Sequence, residues 1–356
     1  MVYNFGAGPA MLPPEVMQQA KEEFIDYKGT GISIMETSHR SDIFQEVLDS
    51  SFRLFRELLE IPKEFSIGFF SGGATLHFSA MPLNVIPQGK TADFALTGVW
   101  AIKAFEEAQK WFPVKAITDA KESKYRSIPE LKEELLSPAS KYVHITSNNT
   151  IYGTQYANMP TISKPLVCDM TSDILSRKID WKKMGAVFAG AQKNIGPSGL
   201  SVLIIRNDFL EESKTIPILL DYKTILKNGS LYNTPPTYSI YISKLVLEWL
   251  QKKGGIAAQE KENLEKSKLL YEYIDSSNLF YAPVEKNSRS VMNVVFLLKN
   301  ESLNAKLEAE SEKAGFVGLA GHRLAGGFRA SLYNPMPIQG VQELIRFLKE
   351  FERANG

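Results

Sequence analysis

Cysteine is almost missing from this 356-residue chain, and Cys168 is the only one. An internal disulfide is therefore excluded, and the usage fits a reducing compartment. Cys168 sits in the apolar run 165–169, where a buried, inert thiol is expected. An excess of one charge is also lacking. Lys and Arg number 41 against 40 Asp and Glu, a net +1 that points to neither nucleic acid nor a membrane surface as partner. No apolar run approaches the length of a membrane span. The opening MVYNFGAGPAMLPPE has neither the basic nor the apolar region of a signal peptide, so the cytoplasm is the expected setting. Two phosphate-binding signatures are incomplete. Gly6-Ala-Gly8 has no strand before it and no third glycine, and no Gly-Lys-Ser/Thr follows Gly72-Gly73. No metal site is expected.

What is present is an ordinary globular composition, 44% hydrophobic and 23% charged, long enough for about two domains. After an irregular arm over the first fifteen residues, Pro14 starts a helix expected to run to about Lys28. Residues 29–40 form a loop, and Ser41 caps a long amphipathic helix. Short apolar strands then alternate with helices: strands at 66–70, 93–96, 114–117, 142–146, 166–169, 186–189 and 202–205, with helices from about 74 and over 99–110. Repeated βα units imply a mostly parallel sheet covered on both faces. Asn233-Thr-Pro-Pro-Thr237 interrupts the pattern. Two long helices (239–253 and about 257–276) and a second α/β pattern follow: strand 291–298, helix 303–314, strand 328–332, helix 341–353.

Residues 186–206 read as strand, turn, strand, with Lys193 in the turn. A lysine held out of water has a lowered pKa and becomes an amine nucleophile, although a solvated turn lysine is the commoner case. Asp169 ends an earlier strand. Alone it reads equally as a cap for the next turn. In an open α/β sheet, ligands bind beyond the carboxyl ends of strands, so the pair suggests pyridoxal phosphate. That cofactor needs a lysine for its Schiff base and an acid for its pyridine nitrogen. Ser71-Gly-Gly-Ala-Thr75, between strand and helix, suits a phosphate or is a plain turn. Trp100 can stack on a ring or fill the core. His39-Arg40 and His322-Arg323 lie in glycine-rich loops, and Arg329 begins a strand. Arginine grips carboxylate and phosphate in bidentate fashion, so a small di- or trianionic substrate is expected.

Six segments together resemble the phosphoserine aminotransferase family, class V aminotransferases of fold type I: 4–10, 34–40, 168–176, 191–199, 232–237, and 321–323 with 327–331. The resemblance runs end to end. It implies an α/β fold in which a large domain carries a mostly parallel central sheet flanked by helices, with a smaller C-terminal α/β domain. The divisions expected are an arm over 1–15 that packs with the small domain, a pyridoxal-phosphate-binding domain over 16–262, and a small domain over 263–356. It implies reversible transamination between L-glutamate and 3-phosphohydroxypyruvate by a ping-pong cycle in a homodimer with shared sites. Lys193 resembles the Schiff-base lysine, Asp169 the pyridine partner, Trp100 the stacking residue, and Thr150 the group near the ring hydroxyl. Ala74, Thr75, Ser172 and Gln192 match other cofactor positions, and Asn233 and Thr234 those that reach the other subunit's cofactor phosphate. Arg329 resembles the α-carboxylate anchor. His39, Arg40, His322 and Arg323 resemble the cluster for the substrate phosphate or distal carboxylate. Some relatives carry Gly-Gly-Gly-Arg where this chain has Gly72-Gly-Ala-Thr75, so Thr75 cannot supply that arginine's charge. A cysteine desulfurase would share Lys193 and Asp169, but it needs a cysteine in a mobile loop rather than in a strand. A non-catalytic dimeric scaffold is the other class of reading.

Overall fold

The computed structural model describes residues 2–211 and 215–356. The arm contributes a short strand, β1 (Tyr3–Asn4), followed by α1 (Pro14–Glu22). This helix stops earlier than its sequence pattern suggests. The chain must turn after Glu23 so that Tyr27 can bury against Tyr241, edge to face at 5.8 Å. Ser41 caps α2 (Asp42–Leu58), its hydroxyl accepting from the Phe44 N–H at 3.3 Å. Phe44, Val47, Leu48, Ser51, Leu54 and Phe55 fall on one helical face and are buried, as their spacing requires.

Seven strands form the central sheet, with two short connecting strands numbered among them. They are β2 (Phe65–Ser71), β3 (Thr91–Leu96), β4 (Lys115–Asp119), β5 (Ser140–Thr146), β8 (Leu166–Asp169), β9 (Met184–Gly190) and β10 (Leu200–Arg206). The connecting pair, β6 (Asn148–Asn149) and β7 (Thr154–Gln155), makes a hairpin beyond β5. The spatial order is β2-β10-β9-β8-β5-β3-β4. Only β10 runs against the others, paired antiparallel with both β2 and β9. Every residue of β8 and β9 is buried, as expected of parallel strands covered on both faces. Chain order runs outward from β3 to β4 on one side and from β5 through β8 and β9 to β10 on the other. The reversal lies between β3 and β5, and open α/β sheets bind ligands beside such a reversal. The two helices α3 (Leu76–Val85) and α4 (Val99–Gln109) start at this carboxyl edge.

After α5 (Tyr222–Lys227) come α6 (Thr237–Lys252) and α7 (Gly255–Ser276). A second sheet joins β11 (Phe280–Tyr281), β12 (Asn293–Leu298) and β14 (Phe328–Ser331), all antiparallel. Between them lie α8 (Asn304–Lys313) and β13 (Phe316–Val317), and α9 (Ile338–Asn355) closes the chain. Val341, Leu344, Leu348 and Phe351 bury one face of α9 against Leu270, Ile274, Phe296 and Phe328. The arm belongs to this apolar cluster as well: β1 pairs in parallel with β13, and Tyr3 and Phe5 are buried there. It then crosses to the central sheet, where the Ala10 N–H donates to the Gln192 carbonyl at 2.8 Å. Cys168 is a free, fully buried thiol in β8.

Candidate active site

The carboxyl ends of β2, β3, β5, β8 and β9, with the arm and β14, enclose a cavity of about 400 Å³. Among the sequence-predicted residues, Ala74, Thr75, Trp100, Thr150, Asp169, Ser172, Gln192, Lys193, His322 and Arg329 line it. Asn233, Thr234, His39, Arg40 and Arg323 do not. Arg40, Thr234 and Arg323 are exposed, and His39 and Asn233 are half-buried.

Lys193 sits in the turn between β9 and β10, only 8% exposed, and its Nζ donates to Thr150 Oγ1 at 2.5 Å. Burial drives its pKa down to about 8; the Asp169 charge opposes that shift and the Arg329 charge adds to it. A far larger share of the amine is therefore unprotonated near neutral pH than for a solvated lysine, and only that form is a nucleophile. Asp169 ends β8, and its Oδ1 accepts from the N–H (2.9 Å) and hydroxyl (2.6 Å) of Thr171. It thus caps the next turn, as one sequence reading has it, and lines the cavity at once. Burial raises its carboxyl pKa, and the two Thr171 bonds and the Lys193 charge pull it back down.

The Gly72–Thr75 turn lies between β2 and α3; the N–H groups of Leu76, His77 and Phe78 donate to the carbonyls of Gly73, Ala74 and Thr75 at 3.1, 3.0 and 3.1 Å, and the positive end of the helix there favours an anion. Gly73 has open space around it. Trp100 opens α4, with Lys103 Nζ 4.9 Å from its ring centroid. Arg329, on β14, is 8% exposed; its Nη1 donates to the Thr150 carbonyl at 3.3 Å, and its buried Nε has no partner among the described residues. A buried guanidinium that lines a cavity without a carboxylate partner among the described residues calls for an anionic ligand. His322 lies beside it, its pKa lowered by burial and then by the Arg329, Arg323 and Lys103 charges. Amine, carboxylate, amide cradle, indole and guanidinium surround one space, and these are the groups that pyridoxal phosphate and an amino acid require. No cluster suited to a metal exists among the described residues.

Several lining residues escaped the sequence reading. Ala7 and Gly8 bring the arm over the lysine: a Cβ on Gly8, at φ +132°, would lie 3.3 Å from Lys193 Cγ. Asn148 and Thr171 hold Ser172 and Asp169 in place. Their local signals were the incomplete Gly6-Ala-Gly8 signature and Asp-x-Thr at 169–171, which reads as a turn.

A family model described as aminotransferase class-V matches residues 2–344. The phosphoserine aminotransferase of Leptospira biflexa serovar Patoc is 55% identical over 358 residues, covering 100% of this chain and 98% of its own. The solved phosphoserine aminotransferase from Bacillus circulans subsp. alkalophilus superposes with a TM-score of 0.96 at 42% identity, covering 100% of this chain and 99% of its own. The pyridoxal-phosphate-bound phosphoserine aminotransferase from Trichomonas vaginalis gives a TM-score of 0.93 at 37% identity, covering 98% and 100%. With this likeness running the full length of the chain, and with a site of this chemistry at the sheet edge, the chain belongs to the phosphoserine aminotransferase family of the class-V aminotransferases.

Proposed function

We propose that the chain catalyses reversible amino transfer from L-glutamate to 3-phosphohydroxypyruvate, giving O-phospho-L-serine and 2-oxoglutarate in serine biosynthesis, with pyridoxal phosphate as cofactor. The observation that carries this is a single cavity holding a depressed-pKa lysine, a buried aspartate and a buried arginine whose Nε has no partner among the described residues. Bound there, pyridoxal phosphate supplies an aldehyde to carry the amino group and a ring that accepts the electrons of the Cα–H bond. Asp169 would hold a proton on the pyridine nitrogen. Trp100 would cover one face of the ring and exclude water. Thr150 would serve the ring hydroxyl, Gln192 and Ser172 would flank the ring, and Ala74 and Thr75 would offer their amides to the phosphate. Lys193 Nζ takes the proton from the substrate Cα and returns it at the cofactor C4′. Arg329 binds the α-carboxylate.

The same reading makes the protein a cytoplasmic homodimer. The sequence-predicted residues outside the cavity (His39, Arg40, Asn233, Thr234) then act on the partner's site, and Arg323 joins His322 around the distal anion. Support comes from the exposed apolar side chains beside them, Ile32, Met35 and Tyr232. The division into an arm (1–15), a cofactor-binding part (16–262) and a smaller part (263–356) is supported by a separate apolar cluster around the second sheet.

A coupled assay with glutamate and phosphohydroxypyruvate tests the function, with plain hydroxypyruvate alongside. Rapid 2-oxoglutarate formation with the phosphorylated acceptor is expected; equal rates with both acceptors would refute the substrate assignment. Lys193→Ala should abolish transamination together with the visible absorbance of the lysine-linked cofactor.

A further inference from the structure

Two asparagines that line no part of the cavity connect its amine to its guanidinium. Asn194 follows Lys193 directly and is buried. Its Nδ2 donates to the Ile174 carbonyl at 3.1 Å, and its Oδ1 accepts from the Asn334 backbone N–H at 3.0 Å. Asn334 lies just beyond β14, the strand that carries Arg329. Its Nδ2 donates to the Leu175 carbonyl at 2.9 Å, and its Oδ1 accepts from Asn263 Nδ2 on α7 at 2.9 Å. On the next turn of α7, the fully buried Lys266 donates to the carbonyls of Leu332, Tyr333 and Met336 at 3.1, 3.0 and 3.0 Å.

The segment after β14 is thus held from α7 on one side and from the central sheet on the other. Leu175, whose carbonyl meets Asn334, has φ +63°, a left-handed conformation that a leucine keeps only where its surroundings impose it. Buried asparagines satisfied on several sides fix geometry more than they add stability.

We propose that Asn194 and Asn334 are positioning residues that together set the separation between Lys193 Nζ and the Arg329 guanidinium. With that separation fixed, a substrate held by its α-carboxylate presents its Cα to the amine. The inference rests on the aminotransferase reading above.

The test uses the holoenzyme of Asn194→Ala, Asn334→Ala and the double variant. Three quantities are read: the rate constant of the half-reaction with glutamate, the pH midpoint of the cofactor's visible absorbance, and the thermal midpoint. Misplacing a reacting group by about 1 Å costs on the order of a hundredfold, so each single variant should lose about 10- to 100-fold in rate constant and shift its absorbance midpoint. Because the residues act as one clamp, the double variant should be no slower than the slower single one. A lower thermal midpoint with unchanged rate and absorbance midpoint would overturn the proposal, leaving a purely structural role. If neither single variant folds, Asn263→Ala removes one outer bond and should slow the half-reaction about threefold by the same misplacement argument; an unchanged rate overturns the proposal. The absorbance midpoint needs no substrate. Failure of the wild type with glutamate and phosphohydroxypyruvate therefore faults the proposed function, whereas an unmoved midpoint faults the clamp.

Discussion

Burying a lysine without a carboxylate bonded to it is costly, and the chain meets that cost where a free amine is useful. The Thr150 hydroxyl is the partner of Lys193 Nζ, and burial brings its pKa to about 8. Below that value the neutral amine should decline about tenfold per pH unit, since only the unprotonated form attacks. Capture of pyridoxal phosphate by the stripped protein should therefore quicken up to about pH 8 and level off above it. A rate still climbing past pH 10, as for a free lysine, would contradict a depressed pKa. The arginines divide differently. Arg329 is buried against the cavity and Arg323 is exposed. Arg329→Leu should weaken every amino-acid substrate, by about 2–5 kcal/mol if a buried charge pair is lost. Arg323→Leu should weaken the phosphorylated substrate most. Steady-state kinetics with glutamate and phosphoserine distinguish the two, and equal losses for both substrates in both variants would contradict the division.

Elements bring these residues together through close backbone approaches. Before α4, Gly98 packs so tightly that an added Cβ would lie 2.7 Å from Asn149 Oδ1. Asn149 in turn donates to Thr97 Oγ1 (3.2 Å) and Thr154 Oγ1 (3.1 Å), joining the β6–β7 hairpin to the turn that places Trp100. That hairpin also carries Thr150. Gly98→Ala should push hairpin and helix apart, destabilising the fold by about 1–3 kcal/mol as overpacking does and lowering cofactor affinity. Thermal unfolding and a cofactor titration read both effects, and wild-type values in both would contradict this account. The same elements show what sequence pattern reveals. β9 is an apolar run and β8 one that ends on Asp169, each with turn signals at its ends, so their place in a parallel sheet was legible. The hairpin was not, because two-residue strands of Asn, Thr and Gln carry no period. The end of α1 was missed because Tyr27 reaches the core through a turn that no local propensity encodes. Nor was the Asn194–Asn334 link legible, since it joins residues 140 apart in the chain.

At the scale of the whole molecule, the site described in one chain lacks part of its predicted anion cluster. His39 and Arg40 lie in the loop before α2 and line no part of the cavity, whereas the proposed function assigns them to a distal phosphate or carboxylate. A symmetric dimer solves this if each chain lends its loop to the other, since one two-fold contact then completes two sites. Complementation between two inactive proteins tests the arrangement. Lys193→Ala lacks the amine but keeps Arg40, whereas Arg40→Leu keeps the amine but lacks the guanidinium. Refolded together in equal amounts, half of the dimers are mixed, and in each mixed dimer one site draws Lys193 and Arg40 from two unaltered positions. Activity on phosphoserine should then recover to roughly a quarter of the wild-type value per site, the statistical share for sites shared across a two-fold axis. If Arg40 served its own chain's site, every site in the mixture would carry one defect, and the mixture would be no more active than Arg40→Leu alone.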